Sequence, residues 1–94
     1  MATSTIQDTK MKAVVSHTFE AHETTEARVD FPWGYSHTNC FISGGMVYFD
    51  SHNEQSITDI VNVARVIFYD GKVLIAPKFD FDHDVEVKVV LERY

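Results

Sequence analysis

Residues 84–94 read DVEVKVVLERY, and their alternation is the strongest constraint in the chain. Val85, Val87, Val89 and Leu91 occupy one parity, while Glu86, Lys88 and Glu92 occupy the other. In an extended chain successive side chains point to opposite faces, so this segment predicts a strand with one face in a core and one in water. Val90 alone breaks the outward row.

Five further segments share the enrichment in Val, Ile, Phe, Tyr and Thr that suits a pleated, half-buried surface: KAVVSHTF (12–19), TEARVDFPW (25–33), NCFISGGMVYF (39–49), IVNVARVIFY (60–69) and KVLIAPKFDF (72–81). Between the last two stands Asp70-Gly71, a pair that readily takes the positive φ values of a type I′ turn and closes a two-residue hairpin. One helical alternative exists: Ile57, Ile60, Val61 and Ala64 lie at helical spacing and Ser56 is placed to cap a first turn. Against it, the density of β-branched residues climbs from Ile57 to Ile67, which predicts a loop over 50–58, with at most a short helical turn, leading into a strand. No internal repeat is present. Short strands at intervals of about 8 to 14 residues predict an all-β chain, a single antiparallel β-sandwich of about six to seven strands. The polar, small-residue segment MATSTIQDTK (1–10) reads as a flexible N-terminal arm, leaving 11–94 as the β-sandwich domain.

Ninety-four residues are enough for one core and too few for a second domain. Eight Lys plus Arg against fourteen Asp plus Glu leave a formal charge of −6. Such a balance repels phosphate backbones and anionic membrane surfaces, so nucleic acid is not an expected partner. No segment approaches the run of about 18 apolar residues needed to cross a bilayer, and no membrane insertion is expected. The first ten residues have neither the charged start nor the apolar centre of a signal peptide, which predicts synthesis in the cytoplasm. Cys40, the one cysteine, cannot form an internal disulfide.

The segment FPWGYSHTNCFISGG (31–45) concentrates the unusual residues. Pro32 and Gly34 give it the backbone chemistry of a β-turn, with Phe31, Trp33 and Tyr35 at its shoulders. These three aromatics either plug one end of a sandwich or, if exposed, stack on a sugar ring or a partner protein. They are the candidate binding residues. Gly44 and Gly45 inside a strand mark a bulge or bend. Cys40 opens an apolar strand, where a thiol is usually a small buried hydrophobe. His37 lies three residues before it, but no oxyanion hole or third orienting group accompanies the pair. His17, His22, His37, His52 and His83 stand singly and read as surface or strand-end residues. Asp80, Asp82 and Asp84 in DFDHD resemble the start of a calcium loop, but Val85 holds the position that requires glycine. A solvated turn fits them better. No phosphate-cradling loop, serine elbow or zinc-protease motif is present. No enzyme, no metal site and no cofactor are expected.

From about Lys12 to Tyr94 the pieces HETTEARVDFPWGY, TNCFISGG, VIFYDGKVLIAP and VEVKVVLERY follow one another in an order that resembles the small β-sandwich modules of tailed-bacteriophage tail-fibre and baseplate proteins. The resemblance implies a noncatalytic virion component, structural, adhesive or decorating, that contacts other virion proteins or a bacterial surface glycan. It implies a homo-oligomer, with a trimer favoured, made in the bacterial host cytoplasm and carried in the particle. No sugar-contacting residue transfers from that family to a position here. Two other readings stay open: a small acidic monomer that binds and inhibits a host protein, suggested by the charge of −6, and a small lectin-like binder.

Overall fold

Among the described residues the strand with the valine parity lies at the centre of the larger of two sheets. A computed structural model describes residues 2–6, 12–49, 53–55 and 60–94. Among these the elements run β1 (Ala2–Ile6), β2 (Lys12–Phe19), β3 (Ala27–Asp30), β4 (Cys40–Phe49), β5 (Asn53–Gln55), α1 (Ile60–Val63), β6 (Ala64–Tyr69), β7 (Lys72–Pro77) and β8 (Val85–Arg93). The first sheet has the order β1-β2-β8-β4-β5 and the second β3-β7-β6. Every pairing is antiparallel.

Val85, Val87, Val89 and Leu91 are wholly buried. Across the ladder they face Phe19, His17, Val15 and Ala13 of β2. The second sheet contributes Ala27, Val29, Val73 and Ile75 to the same apolar cluster, so the two sheets lie face to face in a sandwich-like arrangement. Each fully buried Val or Leu side chain contributes about 1.5–3 kcal/mol, which makes this shared layer the main source of stability.

Six strands carry the two faces, and they fall on the six segments whose composition predicts strands. The ends differ for local reasons. β3 is four residues long because the chain turns at Pro32, and β7 stops at Pro77, whose ring removes a ladder donor. The helical spacing around Ile60 yields one turn, α1, before the β-branched run of β6 takes over. Ser56 and Ile57 lie outside the described residues. Two short outer strands add to the six: β1 runs antiparallel to β2, and β5 to the end of β4. β1 falls in the segment read as an arm and β5 in the segment read as a loop. Both are polar in sequence, so their pairing follows from the neighbouring strand and not from an apolar period of their own.

Asp70 and Gly71 adopt φ values of 53° and 75° between Tyr69 and Lys72, the expected turn. In β4, Ile42 pairs with Leu91 and Gly44 with Val90, which leaves Ser43 as the extra residue of a bulge.

These registers sort the connections between two ends. The β2–β3 and β7–β8 loops share one end, since Phe19 lies beside Val85. The β3–β4 loop, the β6–β7 turn and the tail of β8 share the other, since Cys40 lies beside Arg93 and Asp30 beside Lys72.

Candidate functional site

The end bearing the β3–β4 loop is built around one asparagine. Asn39 accepts a hydrogen bond from the Ser36 amide at 2.8 Å, and its side-chain nitrogen donates to the Gly34 carbonyl at 3.0 Å. The Tyr94 amide donates to the Asn39 carbonyl at 3.1 Å, tying the tail of β8 to the same loop. Upstream, the Tyr35 amide donates to the Pro32 carbonyl, and Gly34 has φ 86°. Positive φ at the third position is what a type II turn requires, and glycine meets it without strain.

This scaffold separates the three aromatics singled out in the sequence. Tyr35 is buried, with the Arg93 guanidinium over its ring at 5.7 Å, and its hydroxyl finds no hydrogen-bond partner among the described residues. Phe31 is half-buried and packs edge-on against Phe68, ring centroids 5.0 Å apart. Trp33 points outward and is 87% exposed. Phe31 and Tyr35 therefore hold the turn to the domain, and Trp33 is what the turn presents.

Two further exposed aromatics sit at this end. Phe41 and Tyr94 stack on one another with centroids 5.2 Å apart and planes at 37°. Their pairing rests on the β4–β8 register and on the bond between Asn39 and Tyr94, so neither stands out in the sequence. Beside the same end, an open groove of about 570 Å³ is lined by His37, Phe68, Tyr69, Asp70 and Gly71.

Cys40 is buried and donates to the Ser36 carbonyl at 3.1 Å, and burial pushes its thiol above the ordinary value. A buried thiol with a raised pKa that is committed as a donor lacks the thiolate character nucleophilic chemistry requires.

The opposite end is acidic. The His22 amide donates to the Phe81 carbonyl at 2.7 Å, and the Ala21 amide donates to the Asp84 carboxylate at 3.1 Å. The His22 ring lies 3.0 Å from Asp80. The two loops are thus pinned together and leave Glu20, Asp80, Asp82 and Asp84 exposed. His83 beside Asp82 holds that carboxyl below its usual range. Among the described residues no three His, Cys, Asp or Glu side chains gather closely enough to hold a metal ion. No helix of the described residues is long and apolar enough to cross a membrane.

No family model, curated protein or solved structure matches this chain.

Proposed function

We propose that this chain is a noncatalytic binding module, a structural or adhesion component of the phage tail-fibre or baseplate kind, with a sandwich core and a recognition surface at its aromatic end. One observation carries the reading: Trp33 is 87% exposed on a turn whose backbone is fixed by hydrogen bonds and by the two neighbouring aromatics beneath it. Holding a large apolar side chain out of the core forgoes about 1.5–3 kcal/mol of burial, which a fold has little reason to do unless something covers the ring. A rigid aromatic face offers large contact area at low entropic cost. The stacked Phe41 and Tyr94 widen the apolar surface at the same end. The partner class is another virion protein or a bacterial surface glycan, and the module works as a homo-oligomer in the particle after synthesis in the host cytoplasm.

The test is binding to a glycan array and to candidate virion proteins by wild type, Trp33→Ala and Asp82→Asn. Binding lost in the first variant and kept in the second supports the proposal. Binding that survives Trp33→Ala overturns it.

A second reading, an acidic protein that occupies and blocks a host protein, is favoured by the pinned loops that display Glu20, Asp80, Asp82 and Asp84 at one end. It expects the reverse: binding lost with Asp82→Asn and kept with Trp33→Ala.

A further inference from the structure

We propose that two copies of this chain pair edge to edge through β6, antiparallel about a two-fold axis at Ile67, joining their three-stranded sheets into one continuous sheet. In the order β3-β7-β6, β6 is terminal, and among the described residues its only ladder partner is β7. Its sequence, ARVIFY, has strong β-formers, one charge and no proline or glycine. Edge strands that stay single are usually guarded by a proline, a bulge or several charges, and β6 has none of these.

The ladder decides which backbone groups are free. Tyr69 and Lys72 flank a two-residue turn, so they form a hydrogen-bonded pair across it. Counting back in twos, Ile67 and Arg65 also turn their amides and carbonyls toward β7. Val66 and Phe68 turn theirs to the open edge. In an antiparallel pair, opposed residues share a face, so a two-fold axis passes through one residue. With the axis at Ile67, Val66 exchanges backbone bonds with the partner's Phe68, and Phe68 with the partner's Val66. Ile67 then meets the partner's Ile67 on the outer face.

The side chains fit that register. Arg65 is exposed and makes no ion pair or hydrogen bond with a described residue. In the pairing it lies opposite the partner's Tyr69 and next to the partner's Asp70. Tyr69 is 52% exposed, with the Arg28 guanidinium 5.4 Å from its ring centroid on its own chain. Asp70, exposed in the turn just beyond Tyr69, supplies the carboxylate for that guanidinium in the pairing. β6 and the turn that follows it therefore carry both the cation, Arg65, and the carboxylate, Asp70, set apart by the spacing the two-fold demands. That complementarity singles out a second copy over an unrelated strand. Edge pairing of this kind closes after two copies, in place of the three-fold assembly that the phage resemblance implies. Because the paired strands run in opposite directions, the two Trp33 side chains end at opposite ends of the dimer, an arrangement suited to bridging two partners.

The experiment measures molar mass by light scattering and sedimentation from micromolar to millimolar concentration. Wild type is expected to reach twice 10.7 kDa. Ile67→Lys places two lysines face to face at the axis and weakens the dimer by about tenfold or more, while its denaturation curve shows the fold intact. Arg65→Asp also weakens it, and Arg65→Asp with Asp70→Arg restores it. Hydrogen exchange adds an independent readout, with the Val66 and Phe68 amides protected in wild type and exchanging fast in Ile67→Lys. A wild type that stays monomeric at millimolar concentration overturns the proposal. So does any oligomer whose mass is unchanged by Ile67→Lys, or a dimer in which those two amides are unprotected. None of these readouts depends on what Trp33 binds, so failure here leaves the recognition reading standing, and the reverse holds.

Discussion

Ile60, the first residue of the helical turn α1, packs on the bare Cα of Gly45 in β4. A Cβ built on Gly45 would collide with the Ile60 side chain and stand 2.6 Å from the Lys88 carbonyl oxygen of β8, inside any real contact distance. The missing side chain is therefore the seat on which α1 rests against the first sheet.

Gly45→Ala is accordingly expected to lose about 1–3 kcal/mol, the usual range for overpacking a tight contact. Chemical denaturation measures it. Adding Ile60→Ala removes the side-chain half of the clash and leaves the carbonyl half, so the double variant should be less destabilised than the sum of the singles. Strict additivity would show that Ile60 does not rest on Gly45.

At the β6–β7 turn, space is not the issue. A Cβ on Gly71 would meet nothing within 4 Å, yet the residue sits at φ 75°. Gly71→Ala should then be destabilised by about 1–2 kcal/mol from backbone strain alone. An unchanged denaturation midpoint would mean that the turn is not type I′.

The contrast between these glycines marks what the sequence makes legible. Asp70-Gly71 announces its turn because the requirement is local, two positive φ values in a row. Gly44 and Gly45 announce an irregularity, but the reason for Gly45 lies in Ile60, fifteen positions away and on another element. The same limit governs the recognition end. The alternation of Val85 to Leu91 gives β8 its faces, and the six strands β2, β3, β4, β6, β7 and β8 can each be placed by composition. Phe31, Trp33 and Tyr35 have similar chemistry, and only the turn geometry determines which of them faces water. Phe41 and Tyr94 meet through a cross-strand register that the bulge at Ser43 shifts by one residue, so no spacing rule finds them. β1 and β5 are polar and take their place from the strand beside them.

That division of labour among the aromatics can be separated by mutation. Tyr35→Ala removes a buried ring and the surface on which Arg93 rests, and is expected to lose about 3 kcal/mol or more. Tyr35→Phe deletes a buried hydroxyl that has no partner among the described residues and should not destabilise the fold, since an unpaired buried polar group is itself unfavourable. Trp33→Ala should stay within about 0.5 kcal/mol of wild type, as an exposed side chain does. Thermal or chemical unfolding of the three variants decides the matter, and a large loss in Trp33→Ala would mean that the ring is part of the core.

His17 is a titratable side chain held among apolar neighbours. It lies on the inner face of β2, its ring edge-on to Phe19 at 4.6 Å, and neither ring nitrogen has a hydrogen-bond partner among the described residues. Burial, the largest influence, pushes its pKa below the ordinary 6.5, and Glu23 at 3.6 Å opposes the shift only in part. Below pH 6.5 the unfolded chain therefore takes up a proton that the folded chain resists. Stability from this residue is full above pH 6.5 and falls as the pH drops from there through the lowered folded value, at less than about 1.4 kcal/mol per pH unit. Denaturation midpoints measured from pH 7.5 down to about pH 5 should show that decline in wild type, a window that stays above the ordinary range of the carboxylates. His17→Gln cannot titrate and should flatten the slope, whatever its effect on overall stability. Identical slopes in the two proteins would mean that the ring is solvated or that Glu23 holds it charged.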